Sequence, residues 1–312
     1  MNLIACSAAG ARRAFWLAMR FALPTIGVAG CALPRPDSAC RDAIVFDSDR
    51  AGRSNVYRVS PAGGPAHLLT SESSAGDYSR VPDLSPDGRR VVFQGKRGDV
   101  EGLFVMACTG GVATILPRTT GAGAPAWSPD GRQIAFGRAG RLFILSLSTG
   151  LVASVTGAPD SSFYPAWSPD GTRIAFVSKG EITWEIFAID IGTGTVRQLT
   201  RATDADAASQ GPAWSPDGTR IAFDRKRQDD FDIYVMRADG TNPVRLTNGD
   251  GVHARPAWSR DGRSIVFHST RDRPATATSN DRRYFEIYTM GASGRDVRRL
   301  TINEHFDAHP DW

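Results

Sequence analysis

Pro165-Ala166-Trp167-Ser168-Pro169-Asp170-Gly171-Thr172-Arg173-Ile174-Ala175-Phe176 reads as two short strands joined by a tight turn. Pro169 presets φ, Asp170 bonds back to the local backbone, and Gly171 accepts the left-handed conformation that follows. The flanking runs are aromatic or β-branched, as strands prefer. The segment recurs. Pro125-Ala126-Trp127 leads to Ile134-Ala135-Phe136, Pro212-Ala213-Trp214 to Ile221-Ala222-Phe223, and Pro256-Ala257-Trp258 to Ile265-Val266-Phe267. An earlier copy carries Leu84 for Trp: Pro82-Asp83-Leu84, then Val91-Val92-Phe93. Ser259-Arg260-Asp261-Gly262 lacks only the turn proline, which a type I turn tolerates. The recurrent turn acids therefore read as structural rather than as acid–base groups.

Two half-copies complete the series. Ile44-Val45-Phe46 has no preceding Pro-x-Trp, and Pro310-Asp311-Trp312 has no following Ile-Ala-Phe. The phenylalanines at 46, 93, 136, 176, 223 and 267 recur every 40 to 47 residues. One four-stranded propeller blade needs about 40–45. A third strand follows each phenylalanine, as in Leu103-Phe104-Val105 and Ile233-Tyr234-Val235, and a fourth ends in Leu-Thr at Leu69-Thr70, Leu199-Thr200, Leu246-Thr247 and Leu300-Thr301. The pattern predicts an all-β fold: a six-bladed β-propeller of four-stranded antiparallel blades. The C-terminal half-copy supplies the inner strand of the blade that starts at Ile44 and so closes the ring. Trp127, Trp167, Trp214, Trp258 and Trp312, at equivalent positions, are expected to fill blade–blade interfaces rather than form a ligand cage.

Composition agrees. The chain has 312 residues, 41% hydrophobic and 22% charged, which excludes wholesale disorder. Its net charge of +4 owes much to Arg12, Arg13 and Arg20 in an acid-free leader; without them 34 basic residues face 33 acidic ones. Such a balance gives no support for nucleic-acid binding.

Residues 1–30 read as an export signal, with Arg12-Arg13 before the apolar stretch from Phe21 to Ala29. Val28-Ala29-Gly30-Cys31 resembles the lipobox of bacterial lipoproteins, which implies cleavage before Cys31 and lipidation of its thiol. An ordinary secretory signal or a short inner-membrane anchor is the alternative reading, and the arginine pair also resembles a twin-arginine motif. Ala32, where Asp would imply inner-membrane retention, points by the same resemblance to the periplasmic face of the outer membrane. Residues 31–41 form a tether and residues 42–312 the propeller.

The repeat resembles the TolB-like, WD-repeat-like β-propeller family, on Pro-x-Trp-Ser-Pro-Asp-Gly-x-x-Ile-Ala-Phe, the Asp47-Ser48-Asp49-Arg50-Ala51-Gly52 loop and the closing Leu-Thr. That resemblance implies a propeller without the extra N-terminal domain of TolB itself, because about ten residues separate Cys31 from the first strand. Cys40 precedes the first strand where other copies place the turn, and Cys108 lies in the turn after the next blade's third strand. Strand alternation puts both on one face, where they form either a disulfide or two free thiols.

HExxH, CxxC, phosphate-loop and GxSxG signatures are absent from the sequence. The leading expectation is a non-catalytic envelope protein, lipid-tethered, without cofactor, that presents loops to envelope proteins. The candidate binding residues precede each Pro-x-Trp: Arg80, Tyr164, Gln210, His253, Arg255 and His309. The alternative is a metal-dependent enzyme resembling polysaccharide lyases, or a glycan-binding module, using the channel mouth. His305, Asp307 and His309 would share one side of an extended segment and, with His253, could hold a divalent metal. Basic residues after each phenylalanine, among them Arg50, Arg97, Arg138 and Arg225, alternate with acids including Asp47, Asp49 and Asp224, and read as a solvated, self-compensated rim. The segment from His268 to Tyr284 is a long loop and a plausible specificity element.

Overall fold

A computed structural model describes residues 40–72, 74–204, 207–249, 251–278 and 281–312. The export signal and Cys31 lie outside the described residues. Six four-stranded antiparallel sheets follow one another. The innermost strands of the second to sixth blades are Tyr78–Leu84, Gly123–Trp127, Phe163–Trp167, Ser209–Trp214 and His253–Trp258. In the first blade the inner strand is the C-terminal Asp307–Asp311, which pairs antiparallel with Ile44–Ser48 and closes the ring. The second and third strands pair along their full lengths, as in Arg220–Arg227 against Asp230–Arg237. The fourth strands are short, two or three residues each. Short outer strands leave little exposed edge.

The core lies between blades. All six repeat phenylalanines are fully buried. Each stacks on the aromatic residue opposite it on the third strand, for example Phe46 on Tyr57 and Phe223 on Tyr234. Trp127 packs against Val92 and Leu103 of the blade before it, and Trp214 against Ala175 and Ile186. The indole N–H of Trp127 donates to the Asp83 carbonyl and that of Trp258 to the Ala213 carbonyl, each in the preceding blade. Arg90, Arg173 and Arg220 of the preceding blade lie over Trp127, Trp214 and Trp258 at 4.5–4.6 Å. The tryptophans are interface groups, and Trp127 and Trp258 are held on both their polar and their π surfaces.

The closing threonine has its own task. Thr70, Thr200, Thr247 and Thr301 accept the N–H of Val56, Ile186, Ile233 and Ile287 on the third strand. The fourth strand is too short to reach that donor through its backbone. Thr119 performs the same service for Leu103, in a blade whose sequence lacks the Leu-Thr pair.

The Ser-x-Asp-Gly turns are closed by side chains. In each, the serine hydroxyl donates to the aspartate, and the aspartate accepts the N–H two residues on, as in Ser215, Asp217 and Thr219. These bonds hold Asp170 and Asp217 down to about 2. A depressed carboxylate adds stability that is complete above the unfolded value near 4 and lost as pH falls through about 2. Asp217→Asn should therefore flatten the decline of the melting temperature between pH 4 and 2 relative to the parent. Because Asp217 is exposed, the difference should be modest. Parallel curves would mean that these bonds carry no linked stability.

Ser259-Arg260-Asp261-Gly262 does more than tolerate a lost proline. Arg260 donates to the carbonyls of Ser85 and Pro86, reaching from the sixth blade to the second. It spans the place where the first blade, split between the chain ends, has no such turn.

Candidate functional site

One face of the disc carries the loops between second and third strands and the connections that enter the inner strands. At this face every inner strand bulges. The pairing register slips between Arg80 and Asp83, Gly123 and Ala126, Phe163 and Ala166, Gln210 and Ala213, and Ala254 and Ala257. In the first blade the slip lies between Val45 and Asp47 on the partner strand. The residue before each proline is left-handed: Val81, Ala124, Tyr164, Gly211, Arg255 and His309, with φ between 47° and 56°. Only one of the six is glycine, although this region costs other residues free energy. All six line the axial channel, a cavity of about 250 Å³.

A bulge removes a backbone N–H from the ladder, so that donor needs another acceptor. The preceding blade supplies it. Asp47 Oδ1 accepts from Val81 N–H at 3.0 Å, Asp224 Oδ1 from Arg255 N–H at 3.0 Å, and His268 Nδ1 from His309 N–H at 3.1 Å. All three acceptors follow the repeat phenylalanine and are buried. Asp47 and Asp224 are thus not part of a solvated rim, and His268 ends no loop: it sits within the strand Ser264–Ser269. Burial pushes Asp224 up, against the Arg255 charge and its N–H, and holds His268 well below the ordinary histidine range. His268 is accordingly neutral, with Nδ1 free to accept.

The candidate residues separate into two groups. Tyr164, Arg255 and His309 meet at the mouth. The Arg255 guanidinium lies 3.6 Å from the Tyr164 ring centroid, and His309 Nδ1 lies 2.9 Å from Asp47 Oδ1. Arg80 is exposed beside them over the Tyr78 ring. Gln210 sits opposite Asp224 on the ladder and lines neither cavity at the mouth. His253 is buried beside Ser269, and burial holds it down to about 4.

The proposed metal ligands do not converge. His305 precedes the strand, exposed, with Nδ1 3.7 Å from Asp49. Asp307 is buried in a 2.5 Å ion pair with Arg50 and accepts from Asn303. His309 is committed to Asp47 and His253 to Ser269. Among the described residues no three His, Cys, Asp or Glu side chains are gathered in a metal-binding set.

The basic rim is also structural. Arg50, Arg97, Arg138, Arg225 and Arg271 lie over the ring stacks of their own blades. At the far end of the channel Asp83 and Asp311, on adjacent inner strands, accept from the N–H of Trp127 and Leu84. Burial and the neighbouring Asp311 charge hold Asp83 well above the usual carboxylate range. On the turn face, Cys40 and Cys108 form a disulfide between the chain start and the second blade.

The comparisons agree with this fold. Residues 202–312 match the TolB beta propeller domain model. An uncharacterised protein of Agrobacterium fabrum is 34% identical over 107 residues, covering 30% of this chain and about a third, 36%, of its own length. Among solved structures, TolB from Acinetobacter baumannii superposes with a TM-score of 0.71 at 20% identity, over 87% of this chain and 66% of that one. A TolB-like protein from Agrobacterium tumefaciens gives 0.65 at 20% identity, over 86% of this chain and 98% of that one. With its C-terminal third matched to the TolB beta propeller domain model and its fold similar to that of TolB, the chain is a six-bladed β-propeller.

Proposed function

We propose that this chain is an exported envelope propeller, lipid-tethered at Cys31 on the periplasmic face of the outer membrane, that binds a segment of another envelope protein at its channel mouth. One observation carries the reading. Six left-handed bulges set inner-strand side chains around a single opening, and Tyr164, Arg255 and His309 meet there on a braced frame of buried acceptors. Aromatic and arginine groups held in fixed positions suit protein recognition. The disulfide suits an oxidising compartment. The histidines and carboxylates of the mouth hold the frame together, so binding rather than turnover is the assigned role.

The test is affinity capture from cross-linked cells, with the parent chain and an Arg255→Ala/His309→Ala variant of matched melting temperature as baits. The parent should enrich one envelope protein at least about tenfold over the variant, as loss of two anchor side chains implies. Equal enrichment by both baits, or none by either, overturns the mouth as the binding site. Incorporation of labelled palmitate into the parent and not into Cys31→Ser tests the tether.

A further inference from the structure

The mouth is open on one side. The residue after the repeat phenylalanine is Asp47, Gln94, Val177, Asp224 or His268 in five blades, and the Gln94 side chain lines a second cavity beside the mouth. In the third blade it is Gly137, paired opposite Gly123. The left-handed position beside it is Ala124, with the smallest side chain after Gly211. The second and third strands of this blade turn at Ala139-Gly140, both left-handed, two residues sooner after the repeat phenylalanine than in the second and fifth blades. Three separate features thus remove side chain or loop from one blade. The result is a notch of about 480 Å³ running from the axis toward the rim.

Nothing in the fold demands Gly137. Its φ is not in the left-handed region, and a Cβ built on it would meet Phe163 at 3.5 and 3.6 Å, an ordinary van der Waals contact. A glycine that neither the backbone nor the packing requires leaves room for something outside the chain. The walls carry positive charge. Arg80 and Arg138 line the notch, with His309 at its inner end and no carboxylate among the lining residues. The acids around it are engaged: Asp47 bonds His309 and the Val81 N–H, Glu101 accepts from Tyr78, and Asp160 pairs with Arg141. Arg138 lies over Phe143 and donates to the Arg118 carbonyl, which fixes its guanidinium without neutralising it.

We infer that the notch in the third blade seats an extended acidic polypeptide segment, which enters the channel mouth and leaves radially over Gly137 with its carboxylates on Arg80 and Arg138. The inference rests on the mouth-binding reading and names the partner chemistry of that same site. A peptide fits because the inner strand Gly123–Trp127 has no partner strand on its axial edge and Gly137, paired opposite it, carries no side chain, so a second backbone can approach. Arginine forks suit carboxylates, and such rim charges also steer the approach.

The full chain, immobilised, is panned against a random dodecapeptide library. The selected peptides should be enriched in Asp and Glu. A synthetic selected peptide should bind about tenfold more weakly to Gly137→Leu and to Arg80→Ala/Arg138→Ala, with a flatter salt dependence for the arginine pair. Gly137→Ala, which adds only a Cβ, serves as the folding control, and all variants are compared at matched melting temperature. Peptides without acidic enrichment, or bound equally by Gly137→Leu, overturn the notch. If such peptides still lose affinity on Arg255→Ala, the mouth reading survives alone. Peptides indifferent to every substitution, or no selected peptide, overturn both. Binding of an acidic oligosaccharide that Gly137→Leu abolishes, with no peptide selected, overturns a polypeptide occupant.

Discussion

Deleting residues 310–312 should open the ring and lower stability by roughly 3–5 kcal/mol, the range for losing a large aromatic side chain from a core. Trp312 packs on a cluster that includes Ile44, Phe46, Val266 and Leu300, joining the first and sixth blades. It is only half-buried, so its own share falls below a fully buried indole's. The rest comes from Asp311. Its carboxylate accepts the Leu84 N–H at 2.7 Å, and its backbone pairs with Val45. Removing it orphans a buried donor, at about 1–3 kcal/mol. A melting temperature lower by roughly 6–15 °C is expected. Trp312→Ala alone should give a smaller drop, because the strand pairing remains. Arg260 still straps the sixth blade to the second, so the truncated chain should keep its strand content at low temperature. An unchanged melting curve would falsify the closure.

The ring was legible because each blade restates its instructions. The Ser-Pro-Asp-Gly turns, the buried phenylalanine and the interface tryptophan recur at matching positions, so four near-full copies identify two degenerate ones. The half-copies at Phe46 and Trp312 then require closure. The mouth was legible only in part. Tyr164, Arg255 and His309 could be placed because each directly precedes a repeat proline. Their braces could not. The position after the phenylalanine holds Asp47, Gln94, Gly137, Val177, Asp224 and His268, five residue types in six blades that form no motif. Three of them accept a bulge N–H, and a bulge has no sequence signature of its own here, since five of its six left-handed residues are not glycine. Charge alternation misled for the same reason: Asp47 and Asp224 look like loop acids until the fold sets them within second strands, against the bulge of the next blade. The arginines of the rim looked solvated because their ring partners lie on a different strand. Glycine at 137 carried no signal, because its meaning is a side chain missing from a ring that only the folded chain assembles.

Breaking the Cys40–Cys108 disulfide should cost about 4 kcal/mol. The two cysteines are 68 residues apart, and closing a loop of that length in the unfolded chain accounts for about that much in the chain-entropy account. Cys40→Ser/Cys108→Ser should melt roughly 8–12 °C below the parent, and reduction of the parent should reproduce the loss. Equal urea midpoints for oxidised and reduced parent would show that the unfolded chain does not profit from the link. The position of the bond matters as much as its energy. Cys40 and Cys108 lie in the core between the first and second blades, beside Val45, Val91 and Phe93. The first blade is the one closed without a covalent connection between its inner strand and the next. If the chain hangs from a lipid at Cys31, any pull on the propeller arrives at Cys40, four residues before the strand that holds the closing segment. The disulfide passes that pull to the second blade, whose strands are continuous in sequence. Without it the load would fall on the pairing of Val45 with Asp311, where the ring is closed by strand pairing alone. The double variant should therefore lose more under force applied at the N-terminus than under heat, a comparison that separates a link that carries tension from a merely entropic one.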